Sequence, residues 1–427
     1  MTIMFFIVFL ALMILGLPVL FALAASPLIE IMMSGNLNLI SSVFNRINIS
    51  LESFTLLALP FFILAGAVMG KGRLTEKIIG FSQVMVGHIK GSLGHVVILS
   101  ATLFSALTGS AVAATSAIGN MLIPEMYKNG FTKKYAAAVT AAATVLGPII
   151  PPSGIMIIYA FTMNVSVGAM FIASIIPGLI FSVFLMIVNY ILCSKKGFNF
   201  KRPKATFRER VTETKRSFLA LLTPVIILGG IYGGIFTPTE SASIAVLYGL
   251  IIALVIYRSI PIKELFPLFR ECAISSASIL LMVAFASGFA VVASLSPISI
   301  FASRIIFSLG HNPYIAFFIV NIMLFIIGMF LDAGPAILIF APIFAPHLIA
   351  MGIDPVHFGV VMSVNVTIGL VTPPMGLVLF MSSDISKVPI EELVKEAWPF
   401  ILSEIAVIFL ISFFPDLVMW LPNVLGM

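Results

Sequence analysis

The sequence predicts an all-α polytopic membrane protein built from two inverted-topology repeats, each holding a re-entrant helical hairpin and a broken helix. Three observations predict it. Of the 427 residues, 60% are hydrophobic and only 9% are charged. Glycines and prolines coincide when the chain is slid against itself by 222 residues. Nearly all lysines and arginines fall on one side of the topology that those repeats suggest.

Apolar runs of spanning length recur, for example over 54–69, 167–192, 219–236 and 274–295. Each approaches the ~20 residues a helix needs to cross roughly 30 Å of hydrocarbon. The alternating pattern of a barrel strand is absent, which leaves helices as the spanning element. The first residues are apolar, but no basic n-region or small-residue cleavage site follows. They read as a first helix rather than a removed signal.

At the offset of 222, Gly66 meets Gly288, Pro124 meets Pro346 and Gly130 meets Gly352. Gly147 meets Gly369, Pro151–Pro152 meets Pro373–Pro374, and Gly154 meets Gly376. Apolar coincidences mean little in so hydrophobic a chain, whereas glycine and proline coincidences at one offset point to a duplication. The first repeat covers 1–194 and the second 217–427. Between them, 195–216 carries nine basic residues against Glu209 and Glu213. A basic stripe between membrane helices reads as a cytoplasmic loop under the positive-inside rule, not as a nucleic-acid surface.

In the first half, spans fall near 2–16, 18–34, 51–70, 134–164 and 167–193, with Leu17–Pro18 the weakest boundary. In the second they fall near 217–236, 239–258, 273–295, 356–384 and 398–422. Five crossings per half place the repeats upside-down relative to each other. With the basic loop inside, 21 lysines and arginines lie inside, and only Arg46 and Arg304 lie outside.

The segments 92–127 and 314–350 read as re-entrant hairpins. "LFSALTGSAVAATSAIG" (103–119) interrupts an apolar run with glycine, serine and threonine, and Lys90 and Lys128 flank it. "IGMFLDAGPAILIFAP" (327–342) occupies the matching place. Exposed backbone at mid-depth is tolerable only where protein or a water-filled cavity surrounds it. Beside each hairpin stands a helix that cannot be continuous, in 134–164 and 356–384. "TVLGPIIPPSG" and "TIGLVTPPMG" each contain paired prolines, which lack the N–H a helix needs. Unwinding there frees carbonyls that, with nearby hydroxyls, can cage Na⁺, while helix N-termini attract anionic groups.

Single residues follow. Asp332, in the second hairpin's turn, is a functional candidate because an ionisable group inside the membrane is costly unless paired or hydrated. Ser110 and Ser153 stand at the first hairpin and first break. Glu240, in "TPTES", reads as a cap or positioning residue, and Glu404 as interfacial or paired. Cys193 and Cys272 form neither a disulfide framework nor a metal pattern, and the five histidines show no metal spacing. No Walker A, H-E-x-x-H or G-x-S-x-G motif occurs. The chain therefore reads as no enzyme, and uphill movement of a solute requires an ion gradient.

The stretches "ALPFFILAGAVM" (58–69), "GHIKGSLGHV" (87–96), "TGSAVAATSAIGNMLIPEM" (108–126), "GPIIPPSG" (147–154), "GIFTPTESA" (234–242), "FLDAGPAILIFAPIFAP" (330–346) and "GLVTPPMG" (369–376) together resemble one family over essentially the whole chain. It is the large membrane subunit of tripartite ATP-independent periplasmic (TRAP) transporters, the DctM-like family. The resemblance implies an inner-membrane, Na⁺-coupled importer of an organic acid. Its partners are a periplasmic solute-binding protein, a small four-helix membrane subunit and membrane lipid. It further implies an elevator, in which hairpins and broken helices slide against a scaffold. One Na⁺ site is implied around Ser105, Ser110, Gly147, Ile150 and Pro151, and a second around Gly328, Gly369, Thr372 and Met375. Substrate contacts are implied at Ser110, Ser153 and Asp332. Many members carry an acid after "GSAVA" where this chain has Ala114, a departure that leans towards the sialic-acid branch rather than C4-dicarboxylates. The rival reading is a stand-alone Na⁺/dicarboxylate symporter, which needs no binding protein.

Overall fold

The computed structural model describes residues 4–198, 200–296 and 312–426. Arg304, placed on the outer side above, lies outside them. Among the described residues every regular element is a helix, and eight helices are long and apolar enough to cross a membrane. The all-helical expectation is met.

The first half opens with α1 (Met4–Ile14) and α2 (Val19–Ser34), separate helices divided at Gly16–Pro18. α3 (Asn38–Leu51) follows, then a short 3-10 turn leading into α4 (Ala58–Lys71), and α5 (Leu74–Val86). α6 (Ser92–Thr108) and α7 (Ala111–Lys128) pack together as a hairpin with a two-residue turn. α8 (Lys133–Thr144) and α9 (Gly154–Met163) flank an unwound stretch, and α10 (Val167–Lys196) ends the half.

The second half begins with α11 (Phe207–Tyr232) and α12 (Pro238–Leu250), the latter extended by a π-helical segment Ile251–Ile256. Capping boxes start both: Thr206 with Glu209, and Thr237 with Glu240. α13 (Ile262–Ser294) follows, then the hairpin of α14 (Pro313–Phe330) and α15 (Ala333–Ala350). α16 (Pro355–Ile368) and α17 (Leu377–Ser386) flank the second unwound stretch. α18 (Ile390–Phe413) and α19 (Asp416–Val424) complete the chain.

Helix boundaries carry the internal repeat. α7 and α15 begin and end 222 residues apart, and α8 and α16 begin 222 apart. Both Pro151–Pro152 and Pro373–Pro374 are joined by cis peptide bonds. The halves interlock: α15 packs on α9, and α17 packs on α7 and α8. At the centre, α8 from Tyr135 to Thr144 and α16 from His357 to Ile368 are buried all round. Their apolar and small residues suit that position, because a helix without a polar face needs protein or lipid on every side.

Several spans differ from the sequence reading. α3 and α5 are helices where only connections were placed, and α13 begins at Ile262 rather than near 273. The last span divides at Phe414–Pro415 into α18 and α19. Glu404 is neither interfacial nor paired among the described residues: it is buried in α18, and neither carboxylate oxygen has a hydrogen-bond partner there. Its neighbours along the helix are apolar enough to bury it, and none supplies a donor.

Candidate functional site

Each unwound stretch packs against the hairpin of its own half through glycine. At Gly147 an added Cβ would stand 2.6 Å from Ser110 C and from Ala111 N. At Gly109, whose φ is 60°, it would stand 2.5 Å from Pro152 O. Only glycine lets two backbones meet this closely. In the second half Gly369 lies against the Gly328 backbone, and Gly328 lies against Val366. The Met375 N–H donates to Met329 O at 3.3 Å.

The residues expected to hold Na⁺ thus fall into two neighbourhoods, each formed by one break and one hairpin. Ser105 is buried and donates to Ala101 O, and its own carbonyl accepts from Gly109 N–H at 2.9 Å. Ile150 packs over Gly178, and Pro151 is buried. Thr372 is buried and its hydroxyl donates to Ile368 O at 2.9 Å, leaving the oxygen lone pairs free. Met375 is exposed. Among the described residues, no hydrogen bond reaches the carbonyls of Gly147, Ile150, Pro151 or Thr372. Carbonyls released at a helix break are groups that a cation can use as ligands.

A cavity of about 460 Å³ lies between the hairpin tips and the helices α4 and α13. Ser110 and Asp332 both line it. They occupy equivalent repeat positions, and each caps the second arm of its hairpin. Ser110 Oγ accepts from the Ala113 N–H at 3.3 Å, and Asp332 Oδ1 accepts from the Ala333 N–H at 2.8 Å. Asp332 is exposed to the cavity. Ser153 is not in the wall: it is buried and donates to Pro148 O, although Pro152 and Gly154 beside it do line the cavity.

Four helices begin at this cavity. Its wall includes the first turns of α7 (Ala111–Ala113), α9 (Gly154, Ile155) and α15 (Ala333–Pro335), and Leu377 at the start of α17. Helix N-termini present the positive end of the peptide dipoles, although here Ser110 and Asp332 already take the Ala113 and Ala333 N–H groups. The charged side chains in the wall are Glu271 and Asp332, and no described wall residue is basic. Any attraction for an anion therefore comes from backbone, or from bound cations.

Sequence reasoning did not single out Glu271 or Thr108. Glu271 stands at the rim, 69% exposed, 4.0 Å from Lys71 at the end of α4. An exposed pair of this kind contributes little stability. Also missed was a buried amide chain: Asn365 Nδ2 donates to Asn321 Oδ1 at 2.9 Å, and Asn321 Nδ2 donates to Ser412 Oγ at 2.9 Å. It ties α14, α16 and α18 together, and asparagine within apolar runs was the available signal.

Comparison with known proteins bears on this architecture. Residues 6–417 match the family model described as the tripartite ATP-independent periplasmic transporter, DctM component. The sialic acid TRAP transporter large permease protein SiaM of Vibrio cholerae is 37% identical, over 87% of each chain. The C4-dicarboxylate TRAP transporter large permease protein DctM of Pseudomonas aeruginosa is 38% identical, over 88% of each. Among solved structures, the Alcanivorax borkumensis YdaH transporter aligns with a TM-score of 0.65 at 15% identity, over 90% of this chain and 89% of that one. That likeness concerns the fold alone. The relatives are transport permeases, not enzymes. The chain belongs to the DctM family, the large membrane component of TRAP transporters.

Proposed function

We propose that this chain carries an organic acid across the inner membrane, driven by Na⁺, and receives it from a periplasmic binding protein while assembled with a small four-helix membrane subunit. The observation that carries this reading is the meeting of four helix N-termini at one cavity whose described wall residues include no basic side chain. Such a site attracts a carboxylate through backbone dipoles. The carbonyls of the two breaks and the Thr372 hydroxyl suit Na⁺, whose charge also offsets that of the cargo. The relatives' names supply two cargo classes, sialic acid and C4-dicarboxylates.

On this reading the hairpins are re-entrant, the repeats are inverted, and loop 195–216 is cytoplasmic. The cavity rim at Glu271 then faces the cytoplasm, which makes this state inward-facing on the same reading. The hairpins and broken helices form the moving body, and α4 and α13 belong to the wall it slides against. Cargo binding is testable on the purified protein. A ligand at 100 times its Kd stabilises the folded state by about 2.7 kcal/mol. Sialic acid or a C4-dicarboxylate is expected to raise the melting temperature in NaCl and not in KCl. Equal stabilisation in both salts contradicts Na⁺ coupling of the site.

A further inference from the structure

The two wall helices occupy equivalent repeat positions, yet they touch different arms of their hairpins. α4 lies along α6, the first arm, and scarcely meets α7. α13 lies along α15, the second arm. The α4–α6 contact is made at Gly66. A Cβ there would stand 2.9 Å from Thr108 Cα and 3.1 Å from Thr108 O. These are backbone atoms next to the hairpin turn, and they cannot rotate out of the way. One turn along, Gly70 faces Phe104, where a Cβ would lie 3.8 Å from the ring edge.

Among the described residues, the second half lacks this docking. Ile326 and Phe330, the counterparts of Phe104 and Thr108, are 50% and 54% exposed, whereas Phe104 is fully buried. Gly288, the counterpart of Gly66, faces the Val43 and Ile47 side chains at 3.0 and 3.1 Å instead. Glycine in a membrane helix also serves plain close packing. Static packing accounts for the tight contact in one half; among the described residues, the equivalent arm in the other half does not make it.

Building on the alternating-access reading above, we propose that Gly66 is a positioning residue. Its bare backbone seats the first hairpin's tip against α4 in the state that opens at Glu271, and the seat is vacated in the opposite state. A side chain at 66 therefore penalises one state only. An equilibrium moves by the difference between its effects on the two states. Because alanine is intrinsically the better residue inside a helix, Gly66→Ala isolates the contact from helix propensity.

The test reads which face of the membrane the site opens to. Val112, exposed at the tip and in the cavity wall, is replaced by cysteine in a Cys272→Ser background. Labelling by a membrane-impermeant maleimide is measured from each face of sealed vesicles, in Na⁺ and in K⁺. The parent is expected to label from both faces, in a ratio that changes with the ion. Gly66→Ala is expected to move that ratio about fivefold or more away from the face carrying Glu271. Gly288→Ala is expected to leave it unchanged, since Val43 and Ile47 can shift. An unchanged ratio in Gly66→Ala, with a parent that alternates, overturns the role of Gly66. A parent that labels from one face in both ions overturns the alternating-access reading, and this proposal with it. Should Gly66→Ala fail to fold, Gly70→Cys with Phe104→Cys reads the same contact through a short bifunctional reagent. Its cross-linking yield is expected to follow the Glu271-face labelling across ionic conditions, and a constant yield overturns the proposal.

Discussion

Ser110 and Asp332 show how far single residues were legible. Both stood out as polar groups in hairpin turns, and both line the cavity. Ser153 stood out as a hydroxyl at the first break, yet it closes that break onto Pro148 O. A sequence shows that a hydroxyl is present but not which way it donates. Thr372 is the residue where a Na⁺ contact is cleanest to test, because its oxygen keeps free lone pairs beside the carbonyls of the second break. Thr372→Ala is expected to raise the Na⁺ concentration for half-maximal transport roughly tenfold, the scale of one contact to a charged group. An unchanged Na⁺ dependence moves the ion elsewhere. Glu404 makes the opposite kind of prediction. A buried carboxylate without a partner destabilises the fold, so Glu404→Leu is expected to raise stability by about 1–3 kcal/mol in thermal melts. A lower melting temperature contradicts this and shows that the carboxylate is needed.

Breaks and hairpins were legible as elements because proline and glycine act locally: they stop helices wherever they occur. α3 and α5 were not. Both are short and carry polar residues, so neither resembles a span, and packing on α13, α6 and α11 rather than hydropathy holds them. The early start of α13 was hidden for a related reason. Lys263, Glu264, Arg270 and Glu271 read as a loop, but a helix can run on past the membrane surface with its charges in water. The contact between the second break and its hairpin yields a prediction at this scale. An added methyl at Gly369 meets the Gly328 carbonyl, a backbone group. Gly369→Ala is expected to cost about 3 kcal/mol or more. Gly352→Ala, at a φ of 91° with open space around it, is expected to cost about 1–2 kcal/mol. Equal losses in thermal melts would mean that the break and the hairpin are not held together there.

For the whole molecule, the repeat was visible in sequence and the cavity was not. A constant offset places α7 opposite α15 in sequence, but nothing in the spacing says that the first turns of α7, α9, α15 and α17 meet in space. That meeting depends on cross-packing between halves, with α15 on α9 and α17 on α7. It also sets the charge of the wall, where helix N-termini stand with Asp332 and Glu271 and, among the described residues, without a basic side chain. On the function proposed above, cargo charge is balanced by dipoles and by ions that enter with the cargo. The direct measurement is uptake of labelled sialic acid or a C4-dicarboxylate into proteoliposomes holding this chain and its small subunit, with the binding protein outside. Accumulation is expected to require an inward Na⁺ gradient and to stop when the binding protein is left out. Equal accumulation under a K⁺ gradient alone would contradict Na⁺ coupling, and undiminished uptake without the binding protein would make the chain a stand-alone symporter.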